Sequence, residues 1–355
     1  MDGRELVTRA IEFRGPERVP YSVGISGATW KAYRERLSEA IARYPQSPIF
    51  GYSYEYAGDP GASGVNRNYD RFGDGFRAGE RYTDRWGVVW DNVQDGLQGY
   101  IAHHPLADWR DLPKLQPPDP LVYDERGGPV DWECIRRQIA ASGHRRFIMG
   151  KGDRVWERVH FLRGMENALL DVAEGRPELT ELIEIIVEVN IRKIKLWLAQ
   201  DIDAVSFMDD WGTQQELMIS PAAWRRLFKP AYARQFELIR NAGRHVYFHS
   251  DGHILPIIPD LIEVGVTVIN PQVSANGLEP LARLCRGRIC VNLDLDRQQI
   301  LAMGTPEMVR AHIRECLEAF APQEVGGGLI LSAGFYPPAP LENVVAAYEA
   351  FAEFC

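Results

Sequence analysis

The chain has little of what would place it outside a reduced, aqueous compartment. Its 355 residues include only five cysteines, Cys134, Cys285, Cys290, Cys316 and Cys355, with no Cys-x-x-Cys pair among them. An odd, scattered set fits reduced thiols better than a disulfide framework. There is no run of about 18 apolar residues, the length a membrane-spanning helix needs. The N-terminal Met1-Asp2-Gly3-Arg4-Glu5-Leu6 has no apolar signal core, so a cytoplasmic location is expected. Basic charge is also in deficit: 40 Lys and Arg stand against 49 Asp and Glu, a net charge of -9. That balance argues against nucleic acid and against an anionic membrane surface, and favours a soluble small-molecule substrate. Neither an internal repeat nor a low-complexity tail is evident.

What is present is alternation. From about residue 145 onward, short β-rich runs (Phe147 to Gly150, Ala204 to Met208, Val246 to His249, Val266 to Asn270, Ile289 to Leu293 and Leu329 to Ser332) alternate with amphipathic segments such as Glu178 to Ala199, Pro221 to Asn241 and Pro306 to Ala321. Ser220-Pro221 and Thr305-Pro306-Glu307 are helix openings. Arg18 to Gly24 and Pro48 to Tyr54 supply two earlier strands. Eight βα units predict an α/β fold, a single (β/α)8 TIM barrel, with a doubly wound open sheet as the alternative. Residues 55–145 are expected to form an insertion or lid. Within it the alternation from Tyr82 to Asp91 predicts a hairpin, and Pro113 to Pro120 an extended connector. Polar residues follow the apolar runs, and a barrel gathers those strand ends on one face, where its active site lies.

The sharpest local feature is Phe248-His249-Ser250-Asp251-Gly252. On an extended strand, positions i and i+2 face the same way, so His249 and Asp251 are aimed at one point. They make a two-ligand start for a metal, or an oriented acid/base couple. The alternative is that Asp251 caps a following helix. A second cluster is Met208-Asp209-Asp210-Trp211-Gly212-Thr213-Gln214. Neighbours on a strand point oppositely, so only one of Asp209 and Asp210 can face a pocket; turn chemistry accounts for the motif equally well. Asn270, Gln272, Asn292 and Asp294 repeat the strand-end pattern and suit hydrogen bonding to polar substrate groups, and Lys151 could hold an anion. Gly326-Gly327-Gly328 precedes a strand and reads as a tight turn, not a phosphate loop.

Taken in order, Met208-Asp209-Asp210-Trp211-Gly212 with Ile219-Ser220-Pro221, His249-Ser250-Asp251-Gly252 with Gly265, Val291-Asn292-Leu293-Asp294, and Gly327-Gly328 leading to Pro340-Leu341-Glu342-Asn343 resemble the uroporphyrinogen decarboxylase superfamily. That superfamily holds porphyrinogen decarboxylases and zinc-dependent, corrinoid-linked methyltransferases on a (β/α)8 barrel. Val23 to Thr29 lacks the arginine that would clamp a porphyrinogen's carboxylates, so true porphyrinogen decarboxylation is disfavoured. The methyltransferase branch ligates zinc through His-x-Cys and a later Cys. Here Asp251 stands in the first thiolate position and Ala333-Gly334-Phe335-Tyr336 surrounds the second, a harder donor set that favours oxygen ligands.

The resemblance therefore implies a methyl- or group-transfer enzyme acting on a small oxygen-bearing, for example methoxylated, substrate, with a corrinoid-binding protein as methyl acceptor. His249 and Asp251 would hold a divalent metal, zinc or a harder ion, and Asp209 or Asp210 would serve as a further ligand or in proton transfer. Trp211, Gln214 and Trp86 are added as substrate contacts, and the Tyr82 to Trp90 segment, with Tyr52 and Tyr54, as a cover. Two other expectations remain open: a metal-free decarboxylase of a small acid, and a non-catalytic barrel that binds a ligand or a corrinoid protein. A homodimer is an allowed assembly.

Overall fold

The computed structural model describes residues 1–44, 49–51, 76–94, 98–123, 129–142 and 145–355. Tyr52 and Tyr54 lie outside the described residues, as do all of residues 55–75. The strands are β1 (Tyr21–Ile25), β2 (Ile49–Gly51), β3 (Arg81–Thr83), β4 (Val89–Asp91), β5 (Tyr100–His103), β6 (Phe147–Lys151), β7 (Ala204–Met208), β8 (His245–Ser250), β9 (Val268–Pro271), β10 (Cys290–Asp294) and β11 (Leu329–Phe335).

Eight of them form one sheet in the order β1-β11-β10-β9-β8-β7-β6-β2, and every pair is parallel. With β3 to β5 set aside, spatial neighbours are chain neighbours and β1 lies against the last strand, the circular order of a (β/α)8 barrel. Among the described residues no ladder joins β1 to β2. The expected helices appear at Pro177–Leu198 and Pro306–Phe320. The segment expected as one helix from Pro221 to Asn241 is two, Pro221–Leu227 and Lys229–Asn241. The break falls before Pro230, whose ring lacks an N–H and disfavours helical geometry in the residue ahead of it.

Strand residues alternate between the helices and the barrel interior. The outward positions Ile148, Val205, Phe207, Val246, Phe248, Ile269, Val291, Leu293, Leu329 and Leu331 are all apolar and buried. The inward positions change character along the axis. At the N-terminal end Phe147, Ala204, Val268, Cys290 and Ile330 pack with Val7 and Ile11 of the first helix, Gly3–Ile11, which plugs the base. One layer up stand Ser22, Met149, Tyr247, Asn270, Asn292 and Ser332, and at the rim Lys151, His249 and Asp294. The interior thus runs from apolar to amide and hydroxyl to ionisable.

Between β2 and β6 the strands β3, β4 and β5 form a separate antiparallel sheet, and β3–β4 is the expected hairpin. It docks on the helix Trp156–Arg163. Trp90 meets Phe161 edge-on at 5.2 Å, Leu106 N–H donates to Leu162 O at 2.9 Å, and buried Arg158 pairs with Asp84 at 3.5 Å and Asp153 at 3.4 Å.

Two glycines bring the loops after β7 and β8 together. A Cβ on Gly212 would overlap the Gly252–His253 backbone, and one on Gly252, whose φ is +77°, would overlap the Gly212 carbonyl. Across this contact Gly212 N–H donates to Asp251 O at 3.3 Å and His253 N–H to Thr213 O at 2.7 Å. Left-handed backbone at a residue with a side chain costs about 1–3 kcal/mol before any clash. Gly252→Ala should therefore lower unfolding free energy in urea by about 3 kcal/mol or more. Gly15→Ala, also at positive φ but with nothing within 4 Å, should cost only about 1 kcal/mol; equal losses would show that the loop contact is dispensable.

Candidate functional site

The rim clusters around His249. Asn270 Nδ2 donates to the carbonyl of Asn292 at 2.7 Å, which turns the amide so that its Oδ1 faces His249 Nδ1, also at 2.7 Å. An amide oxygen only accepts, so Nδ1 carries the hydrogen and, in the neutral ring, Nε2 keeps a free lone pair. Nε2 points between two carboxylates, 3.8 Å from Asp210 Oδ1 and 3.7 Å from Asp251 Oδ1. A lone pair facing two anions is an electrostatic conflict that a proton or a bound cation resolves. Donor atoms of Asp210, His249 and Asp251 all lie within 4.8 Å of one another.

Each member is held by local chemistry. Asp210 Oδ1 accepts the N–H of Asp251 at 2.8 Å, so one carboxylate fixes the backbone of the other. Asp251 does not serve as a helix cap: both its oxygens face Arg297 Nη2, at 2.9 and 3.1 Å. The expectation that only one of the two adjacent aspartates can face the mouth holds, and the one that does is Asp210. Asp209 is 1% exposed and turned the other way. It accepts the N–H groups of Val155, Trp156 and Glu157 at 2.7 to 2.9 Å and the Tyr232 hydroxyl at 2.5 Å. Burial pushes its carboxyl up to about 6, while Tyr232 and the three N–H groups hold it down. Asp209 anchors the first turn of the helix after β6.

Two expected substrate contacts are corrected in the same way. Trp211 is wholly buried, stacked on Trp156 at 5.3 Å, and its Nε1 donates to Tyr232 at 2.9 Å. Trp86 is 3% exposed and lies under the Arg158 guanidinium, 5.3 Å away. Trp211 packs the helix layer and Trp86 the hairpin. Gln272 does reach the rim loops, accepting the N–H of Gly252 at 2.9 Å and facing Gln214 Nε2 at 3.3 Å. Lys151 follows Met149 by two residues and so lies on the inner side of β6.

Beside the cluster a cavity of about 290 Å³ opens into the barrel, lined by residues that include Ser22, Tyr247, Asn270, Asn292, Asp294, Arg297, Ser332 and Tyr336. Its polar wall is bonded to itself: Ser22 and Ser332 hydroxyls lie 2.8 Å apart, Ser332 donates to Asn292 Oδ1 at 2.7 Å, and Asn292 Nδ2 donates to the Tyr247 oxygen at 2.6 Å. Burial raises the Asp294 carboxyl above its ordinary range, with His249 and Arg297 opposing. No local pattern marks Arg297, a loop residue that reaches back to a different strand end, nor Glu157. The Glu157 carboxyl sits beside Arg154 at 3.3 Å; burial pushes it up to about 8, against Arg154 and with help from Asp209 and Asp210.

The fold and rim define the class: a (β/α)8 barrel whose strand ends present an imidazole and two carboxylates beside an interior cavity. The family model for uroporphyrinogen decarboxylase (URO-D) matches residues 92–354, and the chain belongs to that family. A methyltransferase from Methanosarcina mazei has a similar structure, with a TM-score of 0.69 at 16% identity over 100% of this chain and 99% of that one. A B12-independent methionine synthase from Shewanella sp. W3-18-1 gives 0.42 at 14% identity over 64% of this chain and 69% of that one. A dihydropteroate synthase from Xanthomonas albilineans gives 0.31 at 14% identity, over 52% and 59%. The first likeness bears on the fold alone, and the other two carry no weight. No curated protein matches the chain.

An acid whose pKa is raised by folding adds stability below its unfolded value, and that contribution is lost as pH rises through the folded value. For Glu157 the window runs from 4.5 to about 8. Wild type should therefore lose stability relative to Glu157→Gln across that window, as read from urea unfolding at each pH. A constant difference would show that the carboxyl ionises freely.

Proposed function

We propose that this chain is a methyl-transfer enzyme with a divalent cation held by Asp210, His249 and Asp251, acting on a small oxygen-bearing substrate and passing the methyl group to a corrinoid on a partner protein. The observation that carries this is His249 Nε2: its tautomer is set from behind by Asn270, and its lone pair is aimed between two carboxylates. Two ligand atoms each about 2.1 Å from a metal lie at most about 4.2 Å apart, so separations of 3.7 and 3.8 Å leave room for one ion. One imidazole and two carboxylates suit zinc or a harder divalent ion, in keeping with the missing thiolates. When bound, such an ion polarises a substrate oxygen as a Lewis acid.

The chain's own residues do the rest. Asn270 holds the imidazole in register, as partners behind metal-bound histidines do. The O–CH3 bond breaks, the oxygen keeps the electron pair, and the methyl passes to the partner's nucleophile. Asp294, its carboxyl kept protonated more readily by burial, stands in the cavity wall to donate the proton that the leaving oxygen takes. Methyl transfer is also the activity named for the Methanosarcina mazei protein of similar fold. The same Asp294 favours a second reading, a metal-free decarboxylase in which carbon dioxide leaves a small acid and the residual carbanion takes the Asp294 proton. A cavity of about 290 Å³ is at the lower end of ligand pockets and suits small acids or ethers.

Metal content separates the two. Protein purified without chelators should carry about one divalent ion per chain, and His249→Ala and Asp210→Asn should lose it while keeping the wild-type circular dichroism spectrum. His249→Ala should also abolish turnover. A metal-free but active wild type would favour the lyase, and an active His249→Ala would remove the histidine's role. Asn270→Ala should weaken metal binding about 10–100-fold without touching a ligand atom; unchanged affinity would show that the tautomer is set otherwise.

A further inference from the structure

We propose that Arg297 is the receptor for a small carboxylate ligand, and that it takes this ligand in exchange for Asp251 when a divalent cation occupies the rim. The proposal rests on the metal centre proposed above and adds to it the substrate class and an order of binding. Among the described residues lining the cavity, Arg297 is the one cation and Asp294 the one carboxylate. Arg297 Nη2 already holds a carboxylate by both oxygens, at 2.9 and 3.1 Å. That carboxylate belongs to Asp251, one of the three donors of the cation cluster. The chain itself shows what chemistry this guanidinium accepts.

Charge decides when it accepts a second one. Without an added cation, the guanidinium and Asp251 neutralise each other at the rim. A divalent cation between Asp210, His249 and Asp251 cancels both carboxylates and competes with Arg297 for one of them. The guanidinium is then left with uncompensated charge at the mouth of the cavity, where low dielectric makes that imbalance matter. A ligand carboxylate restores it. The rest of the lining fits a compact acid with an apolar body: inward Met149 and the Tyr336 ring are among the lining residues. Binding involves no covalent change. The cation should therefore raise affinity for the anion, and by linkage the anion should raise affinity for the cation.

The test uses the whole chain, stripped of metal and then titrated calorimetrically, first with Zn²⁺ and then with 4-methoxybenzoate as the probe, with and without Zn²⁺. Wild type is expected to bind the probe about tenfold or more tightly once zinc is present. Arg297→Met should keep zinc binding and lose the zinc-dependent gain, and Arg297→Lys should keep part of it; circular dichroism of both variants checks the fold. Zinc binding by wild type without any gain for the probe, or an Arg297→Met that matches wild type, overturns this inference and leaves the metal centre standing. A wild type that takes up neither Zn²⁺ nor, in a parallel titration, Mn²⁺ overturns both.

Discussion

The hydrogen bond between His249 Nδ1 and Asn270 Oδ1, at 2.7 Å, is the interaction on which the geometry of the rim depends. It works because Asn270 has no freedom of its own: its amide N–H₂ is committed to the Asn292 carbonyl one strand further round. A backbone carbonyl on β10 thereby decides which nitrogen of a histidine on β8 carries the hydrogen. The other nitrogen then faces Asp210 and Asp251 as a base or a ligand, and it cannot serve as a donor in the neutral ring. A parallel barrel makes this relay possible, since adjacent strands run in register and their inward side chains meet at equal heights.

A second constraint brings the carboxylates to that nitrogen. Asp210 and Asp251 leave the ends of neighbouring strands on loops that would diverge if either carried bulk at Gly212 or Gly252. With both glycines in place the loops bond to each other through the backbone, and the Asp251 N–H closes on the Asp210 carboxylate. Adjacent Asp209 has the opposite fate. Its burial would be costly for an anion, and three amide N–H groups with a hydroxyl offset that cost, each such bond to a charged group contributing about 1.5–3 kcal/mol. The same dipeptide thus supplies one residue to the scaffold and one to the rim.

The graded interior of the barrel explains why a site sits at only one end. Apolar side chains and the first helix fill the base. Amides and hydroxyls in the middle satisfy one another and so tolerate burial, and among the described residues the inward Lys151, His249 and Asp294 stand where the strands end. Arg297 and Asp294 stand at the boundary between that self-satisfied layer and the open mouth, a guanidinium beside a carboxyl whose burial favours its protonated form. The antiparallel sheet of β3 to β5 spends its tryptophans on the helix after β6, which stabilises the wall that Asp209 also anchors.

The chain's own residue order was enough to show the barrel. Period-two apolar runs separated by helical segments and ended by polar residues mark β6 to β10 to within one or two residues and β11 to within three, because alternation and strand-end polarity are local properties. The convergence of His249 and Asp251 was legible for the same reason. Which of Asp209 and Asp210 faces the mouth, and that Trp211 and Trp86 are buried, were not legible, since a side chain's environment is made by elements distant in sequence. Arg297 is the extreme case: it lies 46 residues from Asp251, and only closure of the barrel places its guanidinium there. Local pattern determined the scaffold and one axis of the site; tertiary structure decided the charges that surround it, because electrostatic partners are chosen by distance in space and not by spacing along the chain.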